Sequence, residues 1–291
     1  MKNLLDGKKV VAVMKERHQK AVTRLKAKGI TPTLGIIRLG ERAEDISYEK
    51  GAIKRCESVG AEVKVMTLPS EATQQELLEL IEQVNRDISI HGVLLFRPLP
   101  KSIDEDIIRN VLAVEKDIDG IGDNSLVGVF AGIEKGYAPC TASACLEILD
   151  FYGYSLKGKK VVVIGRSLVI GKPVAMMMLS RHATITICHS GTQDIPSICR
   201  TADIIVAAAG KPGLVGKECL SPGQVVLDVG INFDESGKLC GDVDFAAAEP
   251  KVEAITPVPG GVGTVTTSVM VGNVIAAAAQ ASEKTEVKGD A

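Results

Sequence analysis

The feature that most constrains this chain is a succession of short apolar, β-branched runs separated by helix-length amphipathic segments. Seven runs stand out, at 33–37, 63–67, 92–96, 160–164, 184–188, 204–208 and 225–229. Most are continuous rather than alternating, the pattern of parallel strands covered on both faces. Between them, segments such as 71–87 and 172–181 carry helical periodicity. Alternation of this kind predicts an α/β protein built on doubly wound parallel sheets. A chain of 291 residues holds two ordinary domains with sizeable cores, and with 3 % aromatics and no Trp those cores are aliphatic.

A break in the pattern at GYAPCT, residues 136–141, marks a boundary, and a fresh run of strands starts at 160. Beyond the last strand, a Pro/Gly-rich loop at 256–263 leads into a final helix that can return to the first domain. The organisation expected is a discontinuous N-terminal α/β domain, residues 1–137 with 268–291, and a Rossmann-like doubly wound domain, residues 138–267. The apolar stretch 268–281 is short for a membrane span and is interrupted by Asn273, so it reads as a buried helix of small residues. The polar tail at 283–291 is expected to fray.

A net charge of −2 with no long basic run gives no footprint for nucleic acid or an anionic membrane. The N-terminus becomes charged within a few residues and lacks a signal-peptide apolar core, which points to the cytoplasm. Seven scattered cysteines form no C-x-x-C pair and the four histidines show no ligand spacing. No metal is expected, and the thiols read as buried groups in a reducing compartment.

Residues 159–174, KKVVVIGRSLVIGKPV, are a strand, a Gly-rich turn and a helix start. Gly165 suits the tight turn and Gly171 the close approach of helix to sheet, leaving helix N-terminal N–H groups for a pyrophosphate. The spacing Gly165-x5-Gly171 matches neither G-x-G-x-x-G nor a Walker A loop. Two later strands, in IIVAAAGKPG and VVLDVGIN, also end in Gly-containing turns, and ligands of such sheets bind beyond the carboxyl ends of the strands. A dinucleotide site is therefore expected, the alternative being a plain strand–helix connection. The second strand ends in His189 and Ser190, where NAD-binding folds carry an acidic residue for the ribose 2′-hydroxyl. Arg166 suits a 2′-phosphate instead. NADP is the expected cofactor, and Asp194 nearby keeps NAD open.

The segments DISYEKGAIKRCESVG, GVLLFRPLP, EKDIDG, PCT, GRSLVIGKP, CHSGT, GKPG, DVGIN, GDVDF and TPVPGGVGTVT occur in that order along nearly the whole chain. Together they resemble the methylenetetrahydrofolate dehydrogenase/cyclohydrolase family (FolD type). The resemblance implies a homodimer that oxidises 5,10-methylenetetrahydrofolate to the methenyl form with NAD(P)+, then hydrolyses it to 10-formyltetrahydrofolate. By matching positions it implies that Tyr48 stacks on the folate and Asp119 hydrogen-bonds the pterin, these two being the catalytic candidates. Gly165, Arg166, Ser167, Ser190 and Ile231 would contact the cofactor, with Gly171 added by the turn chemistry above. Pro259, Gly260, Gly261 and Val262 would border the folate. A flat, polar-edged pterin suits an aromatic face plus a carboxylate that accepts ring N–H bonds. On local grounds alone, Tyr48 reads equally as a half-buried helix residue and Asp119 as an Asp-Gly turn former.

The chain departs from the family where hydrolysis is carried out. The family's Tyr-x-x-x-Lys becomes Tyr48 followed by Ala52, and the glutamine of its V-Q-L-P-L-P becomes Phe96. Ala142 and Thr264 replace two family prolines. Lys50 and Lys54 each lie two positions from Ala52, about 200° around a helix. The expectation is a dehydrogenase whose cyclohydrolase activity is lost or weak. The alternatives are a fully bifunctional enzyme, a shikimate-type dehydrogenase, and a folate- or nucleotide-binding protein without catalysis.

Overall fold

The computed structural model describes residues 3–289; positions 1, 2, 290 and 291 of the expected first domain lie outside them. In chain order, β1 (Asn3–Leu4) and α1 (Gly7–Ala27) precede β2 (Thr33–Leu39), α2 (Ala43–Glu57), β3 (Glu62–Leu68), α3 (Gln74–Arg86), β4 (Gly92–Leu95), α4 (Glu105–Val111) and α5 (Asp123–Ala131). There follow α6 (Cys140–Phe151), β5 (Lys160–Ile164), α7 (Gly171–Ser180), β6 (Thr184–Cys188), α8 (Ile195–Arg200), β7 (Ile204–Ala207) and β8 (Val225–Asp228). The last elements are β9 (Asn232–Phe233), β10 (Leu239–Cys240), α9 (Phe245–Ala248), β11 (Ala254–Ile255) and α10 (Val262–Gly289). All seven apolar runs are strands.

Two compact units result, one of Met1–Ala12 with Thr141–Thr266, the other of Val13–Cys140 with Thr267–Ala291. Residues 3–12 group with Thr141–Thr266, whereas the sequence reading places them in the N-terminal domain. The reason is β1, which pairs in parallel with β11 (Asn3 beside Ala254, Leu4 beside Ile255). A two-residue strand is too short to register as an apolar run.

In the Val13–Cys140 unit, three parallel strands lie in the order β3-β2-β4. Central β2 is buried along its whole length, whereas edge strand β3 exposes much of its own. Ile37, Leu77, Ile81, Val84, Val93 and Ile108 form one face's core. α3 starts three residues later than its periodicity suggests because a capping box fixes its end. There the Thr73 hydroxyl accepts the Glu76 N–H at 3.2 Å and the Glu76 carboxylate accepts the Thr73 N–H at 2.7 Å.

The other unit holds six parallel strands in the order β1-β11-β8-β7-β5-β6. Strand order reverses at β5, with β6 on one side and β7 on the other, and that reversal is the topological switch point. A separate antiparallel pair joins β9 and β10.

α10 begins six residues before the expected start and runs to Gly289, so positions 283–289 of the tail expected to fray continue the helix, while 290 and 291 lie outside the described residues. Its stretch Val262–Glu283 is long and apolar enough to cross a membrane, by length and composition only. With 61 % of that window buried inside the protein, it serves as a core helix. All seven cysteines are free, and six are buried.

Candidate active site

The turn after β5 can be built only from glycine at two places. Gly165 has φ +127°, and a Cβ there would lie 2.1 Å from the Ala208 carbonyl oxygen. At Gly171, a Cβ would lie 2.2 Å from the Gly165 carbonyl oxygen. Backbone therefore meets backbone at both ends of the turn, and no L side chain fits. Between them the Ser167 hydroxyl accepts the Ile170 N–H at 3.2 Å, and the Ser167 carbonyl accepts the Lys172 N–H at 3.0 Å. Pro173 sits in the first turn of α7, where its missing N–H costs nothing. A tight Gly turn at the carboxyl edge of the switch point, with Arg166 and Ser167 exposed, fits a dinucleotide pyrophosphate.

Arg166 and Ser190 each follow a register-paired residue, Ile164 and Cys188, by two positions on adjacent strands. Both are exposed. Asp194 is engaged elsewhere: it is the N-cap of α8, and its carboxylate accepts the Ser197 N–H at 3.2 Å. Ile231 is 67 % exposed just past β8.

Two buried carboxylates, which the sequence reading missed, shape the neighbouring strand ends. Asp242 accepts the N–H groups of Ala209, Gly210 and Lys211 at 2.6, 3.0 and 2.8 Å, and the Asn232 amide at 2.9 Å. Asp228 accepts the N–H groups of Gly230, Asp242 and Val243. Burial pushes the Asp228 carboxyl up to about 6, against the opposing effect of these donors. The loops after β7 and β8 are thus tied into one preformed rim. The segments DVG at 228–230 and GD at 241–242 carry no local sign of these distant partners.

In the Val13–Cys140 unit the carboxyl edge of the sheet carries Tyr48, Phe96 and Asp119. α2 is fixed to β2 by the nearly buried Arg38–Glu49 ion pair at 2.9 Å, which sets the position of Tyr48 beside it. Phe96 follows β4, its N–H donating to the Ile37 carbonyl at 3.0 Å. The Tyr48 and Phe96 rings meet edge to face, with centroids 5.8 Å apart and planes at 86°. Ala52, one turn after Tyr48, is fully buried, and Phe96 is 8 % exposed. Lys50 and Lys54 are exposed, as expected for another helix face. Where the family resemblance calls for a lysine and a glutamine, this chain has an apolar pair.

Asp119 is partly buried, and burial pushes its carboxyl up to about 6. Hydrogen bonds from the Cys140 side chain and N–H, together with the Arg97 guanidinium, oppose that rise. The Tyr48 ring is 40 % exposed, yet its phenol end is desolvated. Burial first, then Asp119 and Cys140, push the phenol above its ordinary range, while a hydrogen bond with Thr267 opposes them. Arg97 also pairs with Glu105 at 3.0 Å.

Pro259, Gly260, Gly261 and Val262 belong to the other unit, where the Gly7 N–H donates to the Gly260 carbonyl at 2.8 Å. Gly260 has φ +108°, and a Cβ at Gly261 would lie 2.5 Å from the Pro257 carbonyl oxygen. Val262 is 1 % exposed, so its side chain serves the core, while Pro259 is exposed.

A glycine cradle at the switch point of a doubly wound sheet, with a second α/β unit bearing a desolvated phenol and carboxyl, defines a two-domain nucleotide-dependent α/β enzyme. Comparison with known proteins narrows that class. Residues 139–282 match the family described as tetrahydrofolate dehydrogenase/cyclohydrolase, NAD(P)-binding domain, and residues 5–119 match its catalytic domain. The bifunctional protein FolD of Carboxydothermus hydrogenoformans is 49 % identical over 272 residues, covering 93 % of this chain and 95 % of that one. Among solved structures, the bifunctional FolD enzyme of Campylobacter jejuni superposes with a TM-score of 0.93 at 40 % identity, covering 96 % of this chain and 99 % of that one. The Trypanosoma brucei enzyme, complexed with NADP and an inhibitor, gives a TM-score of 0.90 at 34 % identity, covering 95 % and 97 %. The chain belongs to the tetrahydrofolate dehydrogenase/cyclohydrolase family, and residues 139–282 match its NAD(P)-binding domain. A shikimate-type dehydrogenase is thereby set aside.

Proposed function

We propose that this chain is a methylenetetrahydrofolate dehydrogenase of one-carbon metabolism that prefers NADP+ and lacks effective cyclohydrolase activity. The observation that carries this reading is the retention of Tyr48 and Asp119 beside the buried apolar pair Ala52 and Phe96. Gly165, Arg166, Ser167, Gly171, Ser190 and Ile231 hold the dinucleotide, and when bound it accepts a hydride from the substrate's one-carbon bridge. Tyr48 offers its ring face to the folate, while Asp119 accepts pterin N–H bonds and fixes the substrate's orientation. The backbone of Pro259, Gly260, Gly261 and Val262 borders the folate. Hydride transfer requires positioning and an electron-rich folate nitrogen to stabilise the cation formed, with no protein nucleophile. The protein acts as a homodimer in the cytoplasm, a setting in keeping with its buried free thiols.

The direct test supplies 5,10-methylenetetrahydrofolate with NADP+ or NAD+ and follows reduced nucleotide and methenyl product together. Equimolar NADPH and accumulating methenyltetrahydrofolate are expected; binding of both ligands without turnover would support a non-catalytic protein instead. A further prediction concerns the cofactor. Arg166→Ala is expected to weaken NADP+ selectively by about 1.5–3 kcal/mol, the loss of one charge-assisted contact. Fluorescence titration with both nucleotides checks it, and equal losses for NAD+ and NADP+ would mean that Arg166 does not read the phosphate.

A further inference from the structure

We propose that Asn273, on α10, is a positioning residue for Asp119, acting through the Ile118 carbonyl and the Cys140 thiol. The proposal rests on the reading that Asp119 binds substrate. Asn273 Nδ2 donates to the Ile118 carbonyl oxygen at 2.8 Å and lies 3.6 Å from Cys140 Sγ. The same carbonyl accepts the Cys140 thiol at 3.2 Å. One carboxamide therefore fixes both the peptide that precedes Asp119 and the thiol beside its carboxyl. Asn273 is flanked on α10 by the buried apolar residues Met270, Val271, Val274 and Ile275. An amide in such a setting costs free energy unless it is paired, and its partners belong to the loop that bears Asp119.

The rest of that loop is immobilised independently. Asp117 accepts the N–H groups of Ile121 and Gly122, each at 2.9 Å, and the Ser125 hydroxyl at 2.6 Å. Gly120 has φ +64°, and a Cβ there would lie 2.4 Å from the Tyr137 carbonyl oxygen. A Cβ at Gly92 would lie 2.5 Å from the Ile118 side chain, so β4 itself seats the residue before Asp119. With the backbone held on these sides, the orientation of the Asp119 carboxyl depends on the donors that reach it. Cys140 lies beside that carboxyl with its N–H towards it, and its thiol, donated to the Ile118 carbonyl, is held in place by Asn273. The other groups facing Asp119 are the Arg97 guanidinium after β4, the Asp117 carboxylate in the same loop and the Tyr48 phenol on α2.

Two measurements test this on the full chain: the KM for methylenetetrahydrofolate as a function of pH, and the Asp119 carboxyl titration by 13C NMR without folate. Asn273→Ala is expected to raise KM about tenfold with kcat and NADP+ affinity unchanged, the loss of one hydrogen bond's worth of orientation. It should also move the Asp119 midpoint above about 6. Cys140→Ala should act alike, whereas Cys140→Ser, which keeps a donor, should restore both readouts. In an Asp119→Asn background, Asn273→Ala should add nothing to KM. An unmoved midpoint in the Asn273 and Cys140 alanine variants, or additive effects on KM, would overturn the proposal. If Asp119→Asn alone leaves KM unchanged, the substrate reading fails, while the NMR midpoint still decides whether Asn273 acts on Asp119. Should Asn273→Ala not fold, the Cys140 pair decides the matter by the same readouts.

Discussion

Purified protein supplied with 5,10-methenyltetrahydrofolate is expected to hydrolyse it no faster than buffer alone. Addition of water to the methenyl carbon needs proton transfers that a polar side chain must assist. At the position where the family resemblance calls for lysine, Ala52 has no functional group and is fully buried. Phe96 replaces the glutamine, and its ring is packed edge to face against Tyr48. Lys50 and Lys54 are exposed, each two positions from Ala52 and so on another face of α2. The two exchanges belong together, because a buried lysine without its amide partner leaves a polar group unmatched. Ala52→Lys with Phe96→Gln should therefore gain measurable hydrolysis, while Ala52→Lys alone should chiefly lower the melting temperature. Enzyme-dependent hydrolysis by the unaltered chain would make it bifunctional like its named relatives and direct attention to Lys50 and Lys54.

Asp119→Asn is expected to lower kcat/KM for methylenetetrahydrofolate by about a hundredfold, since the charge-assisted bonds proposed between this carboxylate and the pterin would each be worth about 1.5–3 kcal/mol. The effect has a pH signature. Burial pushes this carboxyl up to about 6, and only its ionised form accepts two pterin N–H bonds. KM should therefore be flat above pH 6 and rise as pH falls below it, and Asp119→Asn should abolish that dependence. Stability should move the other way. A carboxyl whose folded value exceeds its unfolded one favours the fold below the unfolded value near 4, and that contribution is lost as pH rises through 6. Asn carries no charge to desolvate, so the melting temperature at neutral pH should hold or increase. A large drop would make Asp119 a structural turn residue, with folate turnover lost through unfolding alone. Tyr48→Ala should likewise impair turnover with little loss of stability, because its ring is 40 % exposed.

The strands, the glycine turn and the apolar replacement at Ala52 and Phe96 are legible in the amino-acid sequence. Continuous β-branched runs report burial on both faces, a property each segment carries locally, and all seven became strands. Gly165 and Gly171 were legible for a similar reason, since turn geometry is set within a few residues. Which segments meet is settled by the folded chain. The order β1-β11-β8-β7-β5-β6 left no local trace, and β1 changed units by pairing with a strand about 250 residues away. Asp242 carries no local mark of its role, because its partners are the three N–H groups of the loop after β7, more than 30 residues earlier. Asn273 looked like an interruption in an apolar helix; its partner, the Ile118 carbonyl, lies 155 residues earlier in the chain. Periodicity records how much of a segment is buried, whereas the partner of a buried polar group is fixed only when the chain closes around it.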